Sequence, residues 1–241
     1  MLLFVLSLEA GTIRVAVAAN VSYAMHDLIT VFHHVQPQIK VQVTLGGTGK
    51  LTAQIRHGAP YDLFMAANMA YPEALYAEGM ATGRPRIYAQ GALALLSTKP
   101  RDFSKGLALL KEESILKIAI ANPKTAPYGR ASFEALEQAG MLEGLKTKFV
   151  YGESISQTVA HTVTAADIGF IAKSSLYSPQ MSHYRQGIHW RVVPNSLYKA
   201  IDQGIVILDL AKANASAKAF YDFMLGPEAG KILKQYGYTL P

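Results

Sequence analysis

Cysteine is absent from this 241-residue chain. That excludes a disulfide framework, a thiolate nucleophile and any zinc or iron–sulfur site built on cysteine. The absence does not place the protein, because a cysteine-free chain survives in oxidising and reducing compartments alike. Long apolar runs are also missing. Beyond Leu2-Leu3-Phe4-Val5-Leu6, nothing approaches the roughly 20 apolar residues of a membrane span, so the chain is expected to be soluble and not membrane-spanning. That short run lacks a basic segment before it and the length of a full secretory signal. Two readings stay open: the remnant of a signal ending at Ala10, or an extension of the first strand. Charge is sparse at 17% of residues, with 23 Lys plus Arg against 17 Asp plus Glu, a net +6. No run of Lys and Arg interleaves with aromatics, so nucleic acid is not an expected partner.

Signatures of catalysis are missing as well. The seven histidines include His26 and His33, seven apart, but neither H-x-x-x-H nor H-E-x-x-H occurs. Ser154-Ile155-Ser156 and Ser174-Ser175 lie outside any G-x-S-x-G elbow. No carboxylate pair stands out as an acid–base couple. Gly46-Gly47-Thr48-Gly49-Lys50 is glycine-rich, yet Leu51 stands where a phosphate loop needs Ser or Thr, and G-x-G-x-x-G is absent. We therefore assign no catalytic residue, no metal ligand and no cofactor, and expect no enzyme.

What is present is a hydrophobic half, enough for a sizeable core, in an alternating α/β pattern. Ile13–Val17, Val41–Leu45 and Leu63–Ala67 read as strands. Between the first two, Val21, Ala24, Met25, Leu28, Phe32 and Val35 form a helical stripe facing a core. A short helix over Leu51 and Ile55 ends at Gly58. The first ninety residues thus read as one βαβαβ lobe. A second set of strands follows at Leu93–Leu96, Ile118–Ile120, Phe149–Tyr151 and Ile168–Ile171. Helices are expected after Tyr128-Gly129 and from Ile155. Ile205–Leu208 precedes a helical segment, Ala215 to Tyr236, broken at Gly226-Pro227. Without a linker between the two sets, lobe one is expected at 12–88 and 205–241, lobe two at 89–204, and a cleft between them.

Four strand-to-helix junctions carry small or polar residues: Ala18–Ser22, Gly46–Lys50, Ala126–Gly129 and Gly152–Ser156. A helix start leaves N–H groups unpaired and the positive dipole end exposed, and ligands of open α/β sheets bind beyond the carboxyl ends of the strands. Two junctions from each lobe would converge on a small, compact anion. Taken singly, Asn20 or Ser22 and Thr48 are also ordinary N-caps.

The set resembles one family. Ala18-Ala19-Asn20, Gly46-Gly47-Thr48-Gly49-Lys50-Leu51 and Gly58-Ala59-Pro60-Tyr61-Asp62 are similar to the start of periplasmic molybdate-binding proteins. Ala126-Pro127-Tyr128-Gly129-Arg130-Ala131, Val150-Tyr151-Gly152-Glu153, Ala166-Asp167-Ile168-Gly169-Phe170 and Gly226-Pro227-Glu228-Ala229 continue the match in order, over nearly all of 12–241. The resemblance implies a two-lobed type II periplasmic-binding-protein fold, each lobe a mixed sheet flanked by helices. It implies a periplasmic, monomeric solute-binding protein that captures the tetrahedral oxyanion molybdate or tungstate and hands it to the permease subunits of an ABC importer. By position it implies ligand-binding roles for Asn20, Thr48, Tyr128 and Ile155, with Ala19 adding a backbone N–H. Three positions depart from the family pattern: Gly47 where Ser is frequent, Asn68 for Asp, and Ala172 where some members have Tyr. Glu153, the one acid in the four junctions, is expected to face solvent, and Lys50, Arg130 and Lys173 to be rim charges. Alternatives are a binding protein for sulfate, phosphate or phosphonate, a regulator's sensing domain, or a hydrolase using the cleft. A regulator would need a helix-turn-helix ahead of residue 12. The tetrapyrrole-building deaminase on the same fold needs a cysteine-tethered cofactor, which this chain lacks.

Overall fold

A computed structural model describes residues 11–241. The readings placed on residues 1–10 lie outside the described residues. In chain order the elements are β1 (Thr12–Ala18), α1 (Ser22–Val35), β2 (Lys40–Gly46), α2 (Thr48–Arg56), β3 (Leu63–Met65), α3 (Ala70–Ala77), β4 (Ala81–Gly91), β5 (Leu93–Leu96) and β6 (Ile118–Ala121). They continue with α4 (Pro127–Gln138), the short α5 (Leu142–Leu145), β7 (Phe149–Gly152), α6 (Ile155–Thr164), β8 (Ile168–Ala172), β9 (Trp190–Val192), β10 (Ile201–Leu208), α7 (Ala215–Met224) and α8 (Pro227–Gln235).

The fold is α/β, with two mixed five-stranded sheets flanked by helices. One sheet has the order β2-β1-β3-β10-β4 and the other β7-β6-β8-β5-β9. In each, three strands run parallel, the fourth runs antiparallel to them, and the fifth pairs antiparallel with the fourth. The fourth place is always taken by a strand that has just arrived from the other sheet. β4 passes through Ala92 directly into β5, and the chain returns between β9 and β10. Two passages of backbone therefore join the sheets, without a linker.

The inner parallel strands β3, β6 and β8 are buried on both faces, which requires helices on both sides, while β2 and β7 lie at the sheet edges and are more exposed. Against one face of the first sheet, Ile13, Val15 and Val17 pack with Leu28 and Phe32 of α1 and with Phe220 and Leu233 of the C-terminal helices. Phe32 meets Phe220 edge-on, with centroids 5.0 Å apart, a favoured aromatic geometry. Against the other face, Ala16 and Phe64 pack with Leu51, Ile55 and Leu75. The second sheet buries Ile118, Ile120 and Phe170 against Ala131, Ala135 and Leu136 of α4. None of the helices among the described residues is long and apolar enough to cross a membrane.

Several expectations need correction. Val35 closes the α1 stripe in sequence but is 65% exposed in the last turn. β3 stops at Met65, and Ala66 pairs instead with Gly204. Helix α4 starts at Pro127, before Tyr128-Gly129 rather than after them. α3, β4 and β9 were not expected. β4 contains Gly83, Arg84, Pro85 and Arg86, for which no element was expected. It forms because it is the edge strand, where a missing N–H is tolerated, and Pro85 falls in a register irregularity against β10.

Candidate functional site

All four junctions open onto one cavity. Its wall takes Ala18, Ala19 and Asn20 from the first, Gly47 and Thr48 from the second, Ala126, Pro127 and Tyr128 from the third, and Ser154 and Ile155 from the fourth, with Ala67 beyond β3. The void is about 220 Å³ with its mouth, but the freely accessible part is only about 10 Å³, about the room of one water molecule, so the wall is drawn tightly together. The sequence-predicted residues Ala19, Asn20, Thr48, Tyr128 and Ile155 are thus brought together, each at most 7% exposed.

Local sequence explains each junction. β1 runs into a single 3-10 turn, Ala19–Val21, that leads into α1. Gly47 is the extended N-cap of α2, and Thr48 is its first residue. Neither Asn20, Ser22 nor Thr48 therefore caps a helix with its side chain; the capping alternative for these residues is corrected. At α4 the extended residue Ala126 precedes Pro127, where a missing N–H does no harm. At α6 the cap is Ser154, whose Oγ accepts from Gln157 N at 3.2 Å.

First-turn N–H groups have no partner within their own helix. Among the turn, loop and cap bonds of the described residues, none uses the N–H groups of Asn20, Thr48, Tyr128 and Ile155, whereas the Ala19 N–H falls in the parallel register that pairs Ala18 with Gly46 and is directed at Gly46 O. Two hydroxyls join them. Thr48 Oγ1 accepts from Ala67 N at 3.2 Å and Ser154 Oγ from Gln157 N, so each has a hydrogen left to donate. The wall contains no Lys, Arg, His, Asp or Glu. Burial pushes the Tyr128 phenol well above its ordinary range, so it stays neutral. The arrangement is a set of uncharged donors under helix dipoles: it can hold an acceptor-only anion, and its wall has no carboxylate or imidazole to act as a base.

Asn20 has a further role. Its Nδ2 donates to Gln203 Oε1 at 2.7 Å and to Tyr238 Oη at 2.9 Å, which uses both amide hydrogens. Gln203 is held by donating Nε2 to Ile201 O at 2.9 Å. Tyr238 Oη in turn donates to Asn20 O at 2.8 Å. The free donor that Asn20 presents is therefore its main-chain N–H, not the side chain. Sequence reasoning missed Gln203, Tyr238 and Ser154 at the site. Ser154 is legible as a helix cap, whereas nothing local marks the other two.

The departures from the family pattern now have physical readings. A Cβ on Gly47 would sit 2.9 Å from Glu153 O, and one on Gly49 would sit 2.8 Å from Thr125 O. These glycines let the second junction touch the third and fourth, and Gly49 N donates to Thr125 O at 3.1 Å. Asn68 Oδ1 accepts from Tyr71 N at 3.3 Å, next to the start of α3. Ala172 is fully buried and outside the wall. Glu153 is exposed, as are Lys50 and Arg130, while Lys173 is half-buried over the Tyr177 ring. Arg130 lines a neighbouring open groove of about 400 Å³ rather than the cavity.

Comparison with known proteins agrees with this architecture. The family model for bacterial extracellular solute-binding proteins matches residues 13–239. The molybdate-binding protein ModA of Azotobacter vinelandii is 39% identical over 234 residues, 96% of this chain and 91% of that protein. ModA of Rhodobacter capsulatus is 36% identical over 232 residues, 95% of this chain and 89% of that protein. The solved structure of the Azotobacter vinelandii periplasmic molybdate-binding protein superposes with a TM-score of 0.87 at 33% identity, over 95% of this chain and 99% of that one.

Proposed function

The chain belongs to the bacterial extracellular solute-binding proteins, and from that premise we propose that it captures molybdate or tungstate in the four-junction cavity for delivery to an ABC importer. The observation that carries the reading is the wall itself, which supplies N–H and O–H donors and no charged side chain. Molybdate and tungstate are unprotonated dianions at neutral pH, hence pure acceptors. Hydrogen bonds to a charged acceptor are stronger than neutral ones, so main-chain N–H groups and two hydroxyls are a sufficient cage. Hydrogen phosphate keeps a proton and needs an acceptor in the wall. Glu153, the one acid in the junctions, is exposed to solvent. Sulfate is also acceptor-only and is separated by size and donor spacing alone. Relatives named for molybdate, at 39% and 36% identity over nearly the whole chain, favour the larger ion.

In this reading the ligand set is the main-chain N–H of Asn20, Thr48, Tyr128 and Ile155, with the hydroxyls of Thr48 and Ser154, while Ala19, expected to add an N–H, lines the wall with that N–H directed at Gly46 O. The fold is a two-lobed type II binding protein. Lobe one is taken as 12–91 and 201–241 and lobe two as 92–200, a few residues from the expected 12–88, 205–241 and 89–204, because β4 runs to Gly91 and β10 starts at Ile201 and both belong whole to the first sheet. The anion bridges the lobes and favours the closed state by contacts that the open state lacks. The protein works as a periplasmic monomer that binds without turnover or cofactor, and permease subunits receive its closed form.

Titration calorimetry with molybdate, tungstate, sulfate and phosphate tests this. Binding of molybdate and tungstate with no heat from phosphate is expected. Phosphate binding without a molybdate response would reject the assignment, and a preference for sulfate would move it to the sulfate carriers.

A further inference from the structure

Two seryl hydroxyls outside the cavity reach across from the second sheet's elements to the first junction. Ser156, in the first turn of α6, donates Oγ to Ala19 O at 3.0 Å. Ser174, in the 3-10 turn that follows β8, donates Oγ to Asn20 O at 2.9 Å. Neither lines the cavity wall. Both grip the main chain of the junction whose Asn20 presents its N–H to the cavity.

The geometry of the peptide unit gives these contacts a consequence. The bond joining Ala19 to Asn20 is planar and trans, so its C=O and N–H point in opposite directions. A donor placed on Ala19 O therefore fixes the orientation of the Asn20 N–H, and by polarising the amide makes that N–H a better donor. Ala19 O also accepts from Ser22 N, so Ser156 fills its second lone pair. Asn20 O is likewise doubly engaged, by Ser174 and by Tyr238. One of its two donors is local to the first sheet's half and the other comes from across the cleft.

We propose that Ser156 and Ser174 are closure-dependent positioning residues, a clamp that sets the Ala19–Asn20 peptide for the anion only when the two halves meet. The inference rests on the anion-capture reading above and deepens it. It states how closure and capture are coupled: the hydroxyls do not touch the ligand, yet each favours the state that binds it. Separating the halves would expose both hydroxyls to water and leave the first junction with its local partners only. Because every group in the clamp is uncharged, the coupling needs no change of protonation.

The test is Ser156→Ala and Ser174→Ala in the full chain. Molybdate affinity is measured by calorimetry, its dissociation rate by rapid dilution, and melting temperature with and without molybdate. Each variant is expected to bind about two- to tenfold more weakly, through faster dissociation. The anion-free melting temperature should stay at the wild-type value, while the rise caused by saturating molybdate should shrink. X-ray scattering should show wild-type contraction on adding molybdate and a smaller closed fraction in the variants at equal sub-saturating anion. Unchanged affinity in both variants overturns the clamp. So does an anion-free melting temperature that falls as far as the liganded one, which would make the hydroxyls ordinary structural groups. A wild-type protein that ignores molybdate would instead sink the capture reading, and the clamp with it.

Discussion

Gly49→Ala should act with opposite sign on the two states of a closing protein. Gly49 is the second residue of α2, and alanine there improves helix propensity, by at most about 1 kcal/mol relative to glycine. With the halves apart the variant should be as stable as wild type or slightly more so. In the structure described here the added Cβ would lie 2.8 Å from Thr125 O, 3.2 Å from Thr125 Cα and 3.1 Å from Tyr71 Oη. Two of those three atoms are backbone from across the cleft, so they cannot swing away as a side-chain tip could. Relief requires a shift of α2 against the third junction, which also stretches the 3.1 Å bond from Gly49 N to Thr125 O. Overpacking of this kind costs about 1–3 kcal/mol, and a weakened hydrogen bond adds up to about 1 kcal/mol. Taking about 2–3 kcal/mol for the sum, molybdate affinity should fall roughly 30- to 150-fold. Gly49 does not line the cavity, so the anion's donors survive and the loss reports closure alone. Calorimetric titration gives the affinity, and a thermal melt without anion gives the open-state stability. Affinity within twofold of wild type would refute the steric reasoning, and so would an anion-free melt that drops in step with binding.

Thr48→Val removes a hydroxyl donor at nearly constant shape. Molybdate binding should weaken by about 1.5–3 kcal/mol, and Thr48→Ser should restore most of it in the same titration. Asn20→Asp places a carboxylate where both amide hydrogens are now used by Gln203 and Tyr238, so it sets a negative charge beside the anion. No heat of molybdate binding is expected, and wild-type affinity would remove residue 20 from the wall. Binding itself should be flat from pH 6 to pH 9, since no Asp, Glu, His, Lys or Arg lines the cavity; a tenfold change per pH unit in titrations would reveal an ionising group there. Folding stability should fall at alkaline pH. Burial raises the Tyr88, Tyr128 and Tyr238 phenols above their usual value of 10, so the unfolded chain loses those protons first. The stability tied to the neutral phenols is full below pH 10 and declines above it, by about 1.4 kcal/mol per pH unit for each phenol. Urea melts with tyrosinate absorbance check this, and no decline above pH 10 would contradict the burial.

The parts of the fold legible from sequence are those whose signal is periodic. The α1 stripe from Val21 to Phe32 and the apolar strands around Val15, Phe64 and Ile120 carry their own burial pattern, because both faces of a parallel sheet must be covered. β4 is illegible for the same reason in reverse: Gly83, Arg84, Pro85 and Arg86 break every strand preference. Only the neighbouring β10 makes an edge strand of them. At the site, the four junctions could be read because a helix start has a local grammar of small and polar residues. Gln203 could not be read. It is one amide in an apolar strand, and its function depends on Asn20, 183 residues away. Ser174 and Tyr238 are hidden for the same reason, their shared partner Asn20 O being remote in the chain.

The position of Gln203 bears on how such a molecule would be gated. β10 is the strand by which the chain returns to the first sheet, and Gln203 lies two residues beyond Ile201, where that strand begins. Its Nε2 is anchored to Ile201 O at 2.9 Å, and its Oε1 takes one of the Asn20 amide hydrogens. Two hydrogen bonds thus link the return passage to the first junction with no flexible segment between them. Tyr238, near the C-terminal end, holds the other amide hydrogen of Asn20, and Ser174 meets the same residue from the opposite half. Passage, loop, chain end and opposite half are all tied at one fully buried asparagine. A buried polar hub of this kind is stable only when its partners are all in place. The Asn20 side chain also meets the buried Tyr128 phenol, which comes from the third junction. Under the capture proposed above, contacts that reach this residue from both halves favour the state that encloses the anion over one in which the halves are apart.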